Sequence, residues 1–123
     1  MKIGIIRCEK NEEQCPLTGC LKCLDNTEQA FTGYDVAKLV GVFTCRCPGD
    51  NVIKLGKILK AKGVQAIHFC TCAFSKKKEG GWVLGEGYCD NTDGMLKKLS
   101  LETGLPCVKG SAHLPVGYQV ETF

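Results

Sequence analysis

Residues 36–50 read VAKLVGVFTCRCPGD, and this stretch contains the features that decide the fold. The run from Val36 to Thr44 is mostly apolar and has the length of a buried strand. A tight loop, Cys45 to Gly49, follows it, and Asp50 or Asn51 can cap a helix. Beyond the cap, apolar side chains recur at helical spacing with lysines on the other side, as far as Gly63. The stretch predicts a strand, a loop that carries two cysteines, and a helix.

Strands and helices alternate along the rest of the chain. Further strands are predicted at Ile3–Arg7, Val64–Phe69 and Leu105–Val108, and further helices from Pro16 to about Ala30 and from Asn91 or Thr92 to about Thr103. Such alternation is typical of an α/β domain with a mainly parallel sheet. We therefore expect a single three-layer domain over residues 1–123, with a four-stranded sheet and helices on both faces, flavodoxin- or Rossmann-like in plan. Residues 75–87, rich in lysine and glycine, are expected to form a poorly ordered loop.

Ten cysteines in 123 residues are unusual for a chain that can build a core of its own. The start of the chain does not resemble a signal peptide, because its apolar run is short and a charged segment follows. No stretch of about 18 apolar residues is present, so we expect no membrane span. We expect a reducing, cytoplasmic compartment, where clustered cysteines are metal ligands or redox groups more often than disulfides.

The charge balance gives a weak indication of the partner. Sixteen Lys and Arg against thirteen Asp and Glu leave a formal net charge of +3. A metal site built from thiolates is negatively charged, so this basic excess can simply offset it. Nucleic acid is disfavoured as a partner, because the basic residues form no stripe with interleaved aromatic side chains.

Five cysteines follow three successive predicted strands. Cys8 follows the first strand in sequence, Cys45 and Cys47 the second, and Cys70 and Cys72 the third. The carboxyl ends of parallel strands meet at one edge of a sheet, where ligands bind, so these thiols are expected to lie together. The alternative is that they are inert core cysteines, which are common one or two at a time.

The loop Cys45-Arg46-Cys47-Pro48-Gly49-Asp50 is the most specific local feature. Two thiols one residue apart can reach one metal ion or two atoms of one cluster. The N-terminus of the following helix favours thiolate in this loop. Arg46 cannot ligate a metal, but beside thiolates it can adjust the electrostatics of a bound cofactor. Arg46 directed outward into solvent is the alternative.

Three other residues are candidate metal ligands. Cys15 lies at the predicted start of the first helix, Cys89 precedes the last helix, and His113 lies a few residues past the fourth strand. His113 is equally suited to donating a hydrogen bond to a ligand. Cys107 is expected in the interior of the fourth strand, and His68 is expected to be a core histidine with its hydrogen bonds satisfied.

Enzyme signatures are missing. The sixth residue after Cys8 is Gln14, so the Cys-x₅-Arg loop of a phosphatase is not present. The chain has neither a phosphate loop nor a dinucleotide-binding glycine motif. Cys20 and Cys23 have the spacing of a thioredoxin motif, but they fall inside the predicted helix rather than at its start, which disfavours dithiol exchange between them. No catalytic residue is predicted.

The chain resembles the CGGC-domain family of cysteine-rich proteins from bacteria and archaea. The resemblance rests on residues 3–8 (IGIIRC), on residues 39–49 (LVGVFTCRCPG), on residues 67–69 (IHF) leading to Cys72, on Cys89, and on residues 105–106 (LP) leading to His113. The family's Cys-Gly-Gly-Cys is here the shorter Cys-Arg-Cys, and Cys23, Cys70 and Cys107 look like additions to the pattern. The resemblance implies metal binding through these cysteines and histidines, often taken to be zinc, and implies no reaction.

The residues themselves favour an iron–sulfur cluster, 2Fe–2S or 4Fe–4S. Structural zinc sites use Cys-x₂₋₄-Cys pairs, whereas this chain offers Cys-x-Cys pairs and more thiols than histidines. Electron transfer or redox sensing, with a redox partner protein, is the role that such a cluster implies. Zinc held by the same ligands is the first alternative, and metal-free thiol chemistry is the second.

Overall fold

The computed structural model describes residues 1–123. Three α-helices and seven strands form its framework. The helices are α1 Thr18–Asp25, α2 Val52–Ala61 and α3 Thr92–Thr103. The strands are β1 Lys2–Cys8, β2 Lys38–Cys45, β3 Ala66–Phe69, β4 Ser75–Lys78, β5 Gly81–Leu84, β6 Cys107–Lys109 and β7 Glu121–Thr122. None of the three helices combines the length and the apolarity that a bilayer crossing requires.

The main sheet has the strand order β2-β1-β3-β6-β7. Its first four strands are parallel, and β7 pairs antiparallel with β6. The predicted α/β class with a mainly parallel sheet is confirmed. The prediction of four strands was wrong, because the tail returns to add a fifth, held by the Tyr118 hydroxyl, which donates to the Lys109 carbonyl at 2.7 Å. This short antiparallel strand also departs from the flavodoxin- or Rossmann-like plan.

Two apolar clusters cover the two faces of the sheet. Because side chains alternate along a strand, Ile3 and Ile5 of β1 point to the face covered by α1, and Ile6 points to the face covered by α2 and α3. We call these the α1 face and the α2–α3 face. The alternation decides which cysteines at the edge of the sheet can meet.

Helix α2 lies very close to the sheet because two glycines face it. Gly4 and Gly41 are partners in the β1–β2 register, and a Cβ on either would approach the side chain of Leu59 to 2.7 Å. The missing side chains leave a groove that Leu59 fills. This close packing fixes the position of the β2–α2 loop, which contains Cys45 and Cys47.

Two local predictions were wrong. The first helix is shorter than predicted, because Thr27 and Gln29 have positive φ angles (50° and 53°) and the chain turns to bring Phe31 into the core. Residues 75–87 contain the antiparallel β4–β5 hairpin instead of a poorly ordered loop. Its Trp82 ring stacks on the imidazole of His113, with ring centroids 5.1 Å apart.

Candidate metal centre

Cys8 and Cys45 are the last residues of adjacent parallel strands, β1 and β2. They are direct partners in the register, so their α-carbons are separated by about the inter-strand spacing of 4.8 Å and their side chains leave the same face. Both are buried. The strands thus place two thiols side by side at the carboxyl edge of the sheet, on the α2–α3 face.

Two loop cysteines lie next to this pair. Cys47 is exposed in the turn that follows β2. Cys89 is half-buried, and its backbone N–H donates to the Ala73 carbonyl at 2.7 Å, which fixes its loop beside the end of β3. Burial raises the pKa of Cys45 to about 11, and negative charge on Cys47, Cys89 and Cys8 adds to the effect. The four sulfurs therefore lie within electrostatic reach of one another, and we call them the four-cysteine group.

The turn over Cys45 depends on a glycine. Gly49 has a φ of +99°, and a Cβ there would lie 3.2 Å from the Met95 sulfur and 3.4 Å from the Cys45 sulfur. The Met95 sulfur itself lies 3.8 Å from the Cys45 thiol. A side chain here would crowd both sulfurs, and the positive φ favours glycine. The glycine of the Cys-Pro-Gly sequence therefore has a steric role at this site.

Two polar side chains hold the backbone of this loop, one from the start of α2 and one from the segment after β1. The Asn51 amide accepts from the Arg46 N–H at 3.0 Å and donates to the Thr44 carbonyl at 2.7 Å. The Glu9 carboxylate accepts from the Cys47 N–H at 3.1 Å. Asn51 is thus the N-cap residue of α2 but makes no side-chain cap bond, because its amide is used to brace the loop.

The Arg46 guanidinium lies at the rim of the four-cysteine group. Its side chain is 58% exposed and forms ion pairs with Glu9 at 3.7 Å and with Glu12 at 3.4 Å. Thr44 also donates a hydrogen bond to Glu12, and this bond is the main reason that the pKa of Glu12 is lowered. Arg46 therefore offsets two carboxylates next to the thiol loop while remaining largely exposed to solvent.

The remaining predicted ligands lie on the α1 face, around a cavity of about 630 Å³. They are Cys15, Cys70, Cys72 and His113. Burial raises the pKa of Cys72 to about 11, and charges on Cys20, Cys8 and Cys15 contribute. Cys8 of the four-cysteine group also lines this cavity, so it lies between the two sets of predicted site residues.

The donor chemistry of the four-cysteine group suits a thiophilic metal, since every donor is sulfur. No three His, Cys, Asp or Glu side chains lie close enough together to hold an ion in this structure. Two of the four thiols end adjacent strands and two lie on loops. The residues present fit a thiophilic metal in their chemistry.

Two predicted core residues behave as expected. Cys107 is fully buried in β6, with its thiol 3.6 Å from the Leu105 carbonyl oxygen. His68 is fully buried, and both of its ring nitrogens have hydrogen-bond partners. Sequence reasoning missed Cys20, which meets Cys70 on the α1 face. No local pattern could have indicated this contact, because the two residues are 50 positions apart.

Comparison with known proteins adds one finding. No curated protein and no solved structure matches the chain significantly. The model of the CGGC domain matches residues 2–112, a range that includes all of the predicted site residues except His113. The chain therefore belongs to the CGGC-domain family, and this membership marks it as a candidate cysteine-rich metal-binding protein.

Proposed function

We propose that the protein holds an iron–sulfur cluster through Cys8, Cys45, Cys47 and Cys89. The observation that carries the proposal is the in-register pair of Cys8 and Cys45, with two further thiols on adjacent loops. Four cysteines are the usual ligand set of both 2Fe–2S and 4Fe–4S clusters. A bound cluster would supply one-electron transfer.

The mixture of strand and loop ligands supports this assignment. Strand pairing fixes Cys8 and Cys45, whereas Cys47 is exposed in a turn. A cluster is larger than a single ion, so two thiolates on loops suit it. The absence of histidine from the group also favours iron–sulfur chemistry over the common mixed zinc sites.

Zinc bound by the same four thiols is the alternative, because Cys₄ zinc sites are common and tetrahedral. The short Cys45-Arg46-Cys47 spacing disfavours it, since structural zinc sites usually separate paired cysteines by two to four residues. Cys15, Cys70, Cys72 and His113 are left out of the proposed ligand set because none of them is among the charges that raise the pKa of Cys45. Cys72, which lies within electrostatic reach of Cys8, is a reserve ligand.

The physiological role that follows is electron transfer or redox sensing, in exchange with a redox partner protein. A reducing, cytoplasmic compartment belongs to the same proposal, because it would keep the ligand cysteines as thiols. The carboxylates and guanidinium at the rim, Glu9, Glu12 and Arg46, would be the groups closest to such a partner.

Purification without oxygen tests the proposal. The full chain should be brown, absorb in the visible range, and contain iron and acid-labile sulfide in equal amounts. Colourless protein with stoichiometric zinc and no iron would overturn the iron–sulfur assignment and support the zinc alternative. Protein that contains neither metal, and takes up neither after anaerobic reconstitution, would overturn both.

A further inference from the structure

A pair of thiols outside the four-cysteine group lies in direct contact. Cys20 belongs to the first turn of α1, and Cys70 directly follows β3. Their sulfurs are 3.9 Å apart, and the residues are 8% and 2% exposed. A disulfide requires a sulfur–sulfur distance of about 2.05 Å, so side-chain movements of about 2 Å in total would join the two atoms.

The surroundings distinguish the two sulfurs. The contact with the Cys70 thiol is the main cause that lowers the pKa of Cys20; the Ser111 hydroxyl also lowers it, and burial opposes them. The Ser111 hydroxyl lies 3.1 Å from the Cys20 sulfur. Cys70 is the more deeply buried of the two, and the contact with Cys20 raises its pKa. Cys20 is the better placed of the two sulfurs to act as the thiolate, because it is the less buried and both the Cys70 thiol and the Ser111 hydroxyl lie within donating distance of it.

The serine beside Cys20 is held in place by a reciprocal contact. The Ser111 N–H donates to the Thr71 hydroxyl at 3.0 Å, and the Thr71 N–H donates to the Ser111 hydroxyl oxygen at 3.3 Å. This contact joins the loop after β6 to the loop after β3. It holds the Ser111 hydroxyl, which contacts the Cys20 sulfur, next to the segment that contains Cys70.

Both sulfurs line the cavity on the α1 face. Its volume of about 630 Å³ lies within the range of small-molecule sites. Trp82 and Arg7 also line it, so a small ligand would meet a flat aromatic ring and a cation as well as the dithiol. One end of the Arg7 guanidinium donates to the Cys15 carbonyl, whereas its buried Nε has no partner.

We propose that Cys20 and Cys70 form a redox-active dithiol that exchanges with low-molecular-weight disulfides entering this cavity. The Cys20 thiolate attacks one sulfur of the small disulfide, whose S–S bond breaks and releases one thiolate. That thiolate takes the proton of Cys70. The Cys70 sulfur then attacks the Cys20 sulfur, forms the intrachain disulfide and expels the second thiolate. The protein loses two electrons, and the small disulfide gains them.

This dithiol uses none of the four proposed metal ligands, although one of them, Cys8, also lines the cavity. It also differs from the Cys20-x-x-Cys23 pair that the sequence suggests. The side chain of Cys20 contacts Cys70 and Ser111, and burial raises the pKa of Cys23. The partner of Cys20 in exchange is therefore a residue distant in sequence.

The test uses the full chain, purified without oxygen and reduced, then mixed with oxidised glutathione at about pH 7. Free thiols are alkylated at intervals, and peptides are mapped by mass spectrometry. We expect the Cys20–Cys70 disulfide to be the first intrachain bond formed. Cys70→Ser should instead accumulate glutathione on Cys20, and Cys20→Ser should leave Cys70 unmodified. Cys23→Ser, on the same helix, should react like the unaltered protein.

Free Cys20 and Cys70 after prolonged exposure to oxidised glutathione would overturn the proposal. Equal formation of disulfides between Cys20 and Cys23 would also overturn it. Circular dichroism of each variant controls for misfolding. Ser111→Ala, which leaves both thiols in place, should slow glutathione addition to Cys20 severalfold. Metal content, measured on the same samples, should be unchanged in Cys20→Ser, so failure of the metal proposal and failure of this one are distinguishable.

Discussion

Acidification should destabilise the protein through the buried His68. The ring stacks on Phe31 with centroids 4.3 Å apart and is fully buried. Nδ1 lies 2.9 Å from the Gly110 carbonyl oxygen, which can only accept, so Nδ1 carries the hydrogen. Nε2 therefore accepts from the Tyr34 hydroxyl at 2.7 Å. Protonation of Nε2 would remove this acceptor and place a charge in the core.

The magnitude follows from the difference between the folded and unfolded pKa values. Burial lowers the pKa of His68 from its ordinary 6.5 to about 4. Between these values the unfolded chain binds the proton and the folded protein does not, so the free energy of unfolding falls as the pH falls below 6.5 and levels off near 4. At about 1.36 kcal/mol per pKa unit, acidification from about pH 7.5 to about pH 4.5 costs about 2.5 kcal/mol through this residue.

Urea unfolding at several pH values measures the effect, with His68→Gln as the matched control. Glutamine keeps a donor and an acceptor but does not titrate in this range. Both proteins contain the same cysteines and carboxylates, so acid release of metal and carboxylate protonation cancel in the difference. The stability gap between the two proteins should narrow by about 2–3 kcal/mol on acidification. A gap that stays constant from about pH 7.5 to about pH 4.5 would refute the reasoning.

Three further substitutions test the four-cysteine group and the hydrophobic core separately. Arg46→Ala should keep the metal but lower the reduction potential of a bound cluster, because a cation next to the thiol loop is lost. Potentiometric titration measures this change. The control Lys57→Ala, which removes an exposed ion pair between α2 and α3, should leave the potential unchanged. Gly49→Ala should lose most of its metal, whereas Gly80→Ala, which has a similar positive φ but open space around it, should keep its metal. Leu99→Ala should cost about 2–5 kcal/mol in urea unfolding, because Leu99 is fully buried between α3 and the sheet.

Each of these predictions has a contradicting result. Loss of metal in Arg46→Ala would mean that the Arg46 side chain holds the loop in its conformation, rather than only adjusting the reduction potential of the cluster. Equal metal content in Gly49→Ala and Gly80→Ala would mean that the close approach of the turn to Cys45 does not matter. A cost below about 1 kcal/mol for Leu99→Ala would contradict the described packing of the α2–α3 face.

The elements that position Cys8 and Cys45 could be predicted from the sequence. Their strands are uninterrupted apolar runs, and parallel strands present their carboxyl ends at one edge. The division of the cysteines between two faces could not be predicted. It depends on the exact end of each strand, since a shift of one residue reverses the face of a side chain.

Contacts between distant parts of the chain account for the other differences. The β4–β5 hairpin was hidden by a run of lysines and glycines, which usually indicates a loop, yet Trp82 packs its ring on His113 from the far end of the chain. The β7 strand is two residues long and has no apolar pattern, so only its pairing with β6 defines it. The Cys20–Cys70 contact depends on where α1 lies on the sheet, which local sequence does not specify.

Metal content per chain in single-cysteine variants tests the central claim most directly. Cys45 is the last residue of β2 and Cys107 is the first residue of β6, and both are buried. Cys45→Ser and Cys107→Ser therefore each remove one buried thiol, at opposite ends of parallel strands. After anaerobic purification, Cys45→Ser should contain little or no metal, and Cys107→Ser should contain as much iron and sulfide as the unaltered protein. Full metal content in Cys45→Ser together with loss in Cys107→Ser would contradict the account.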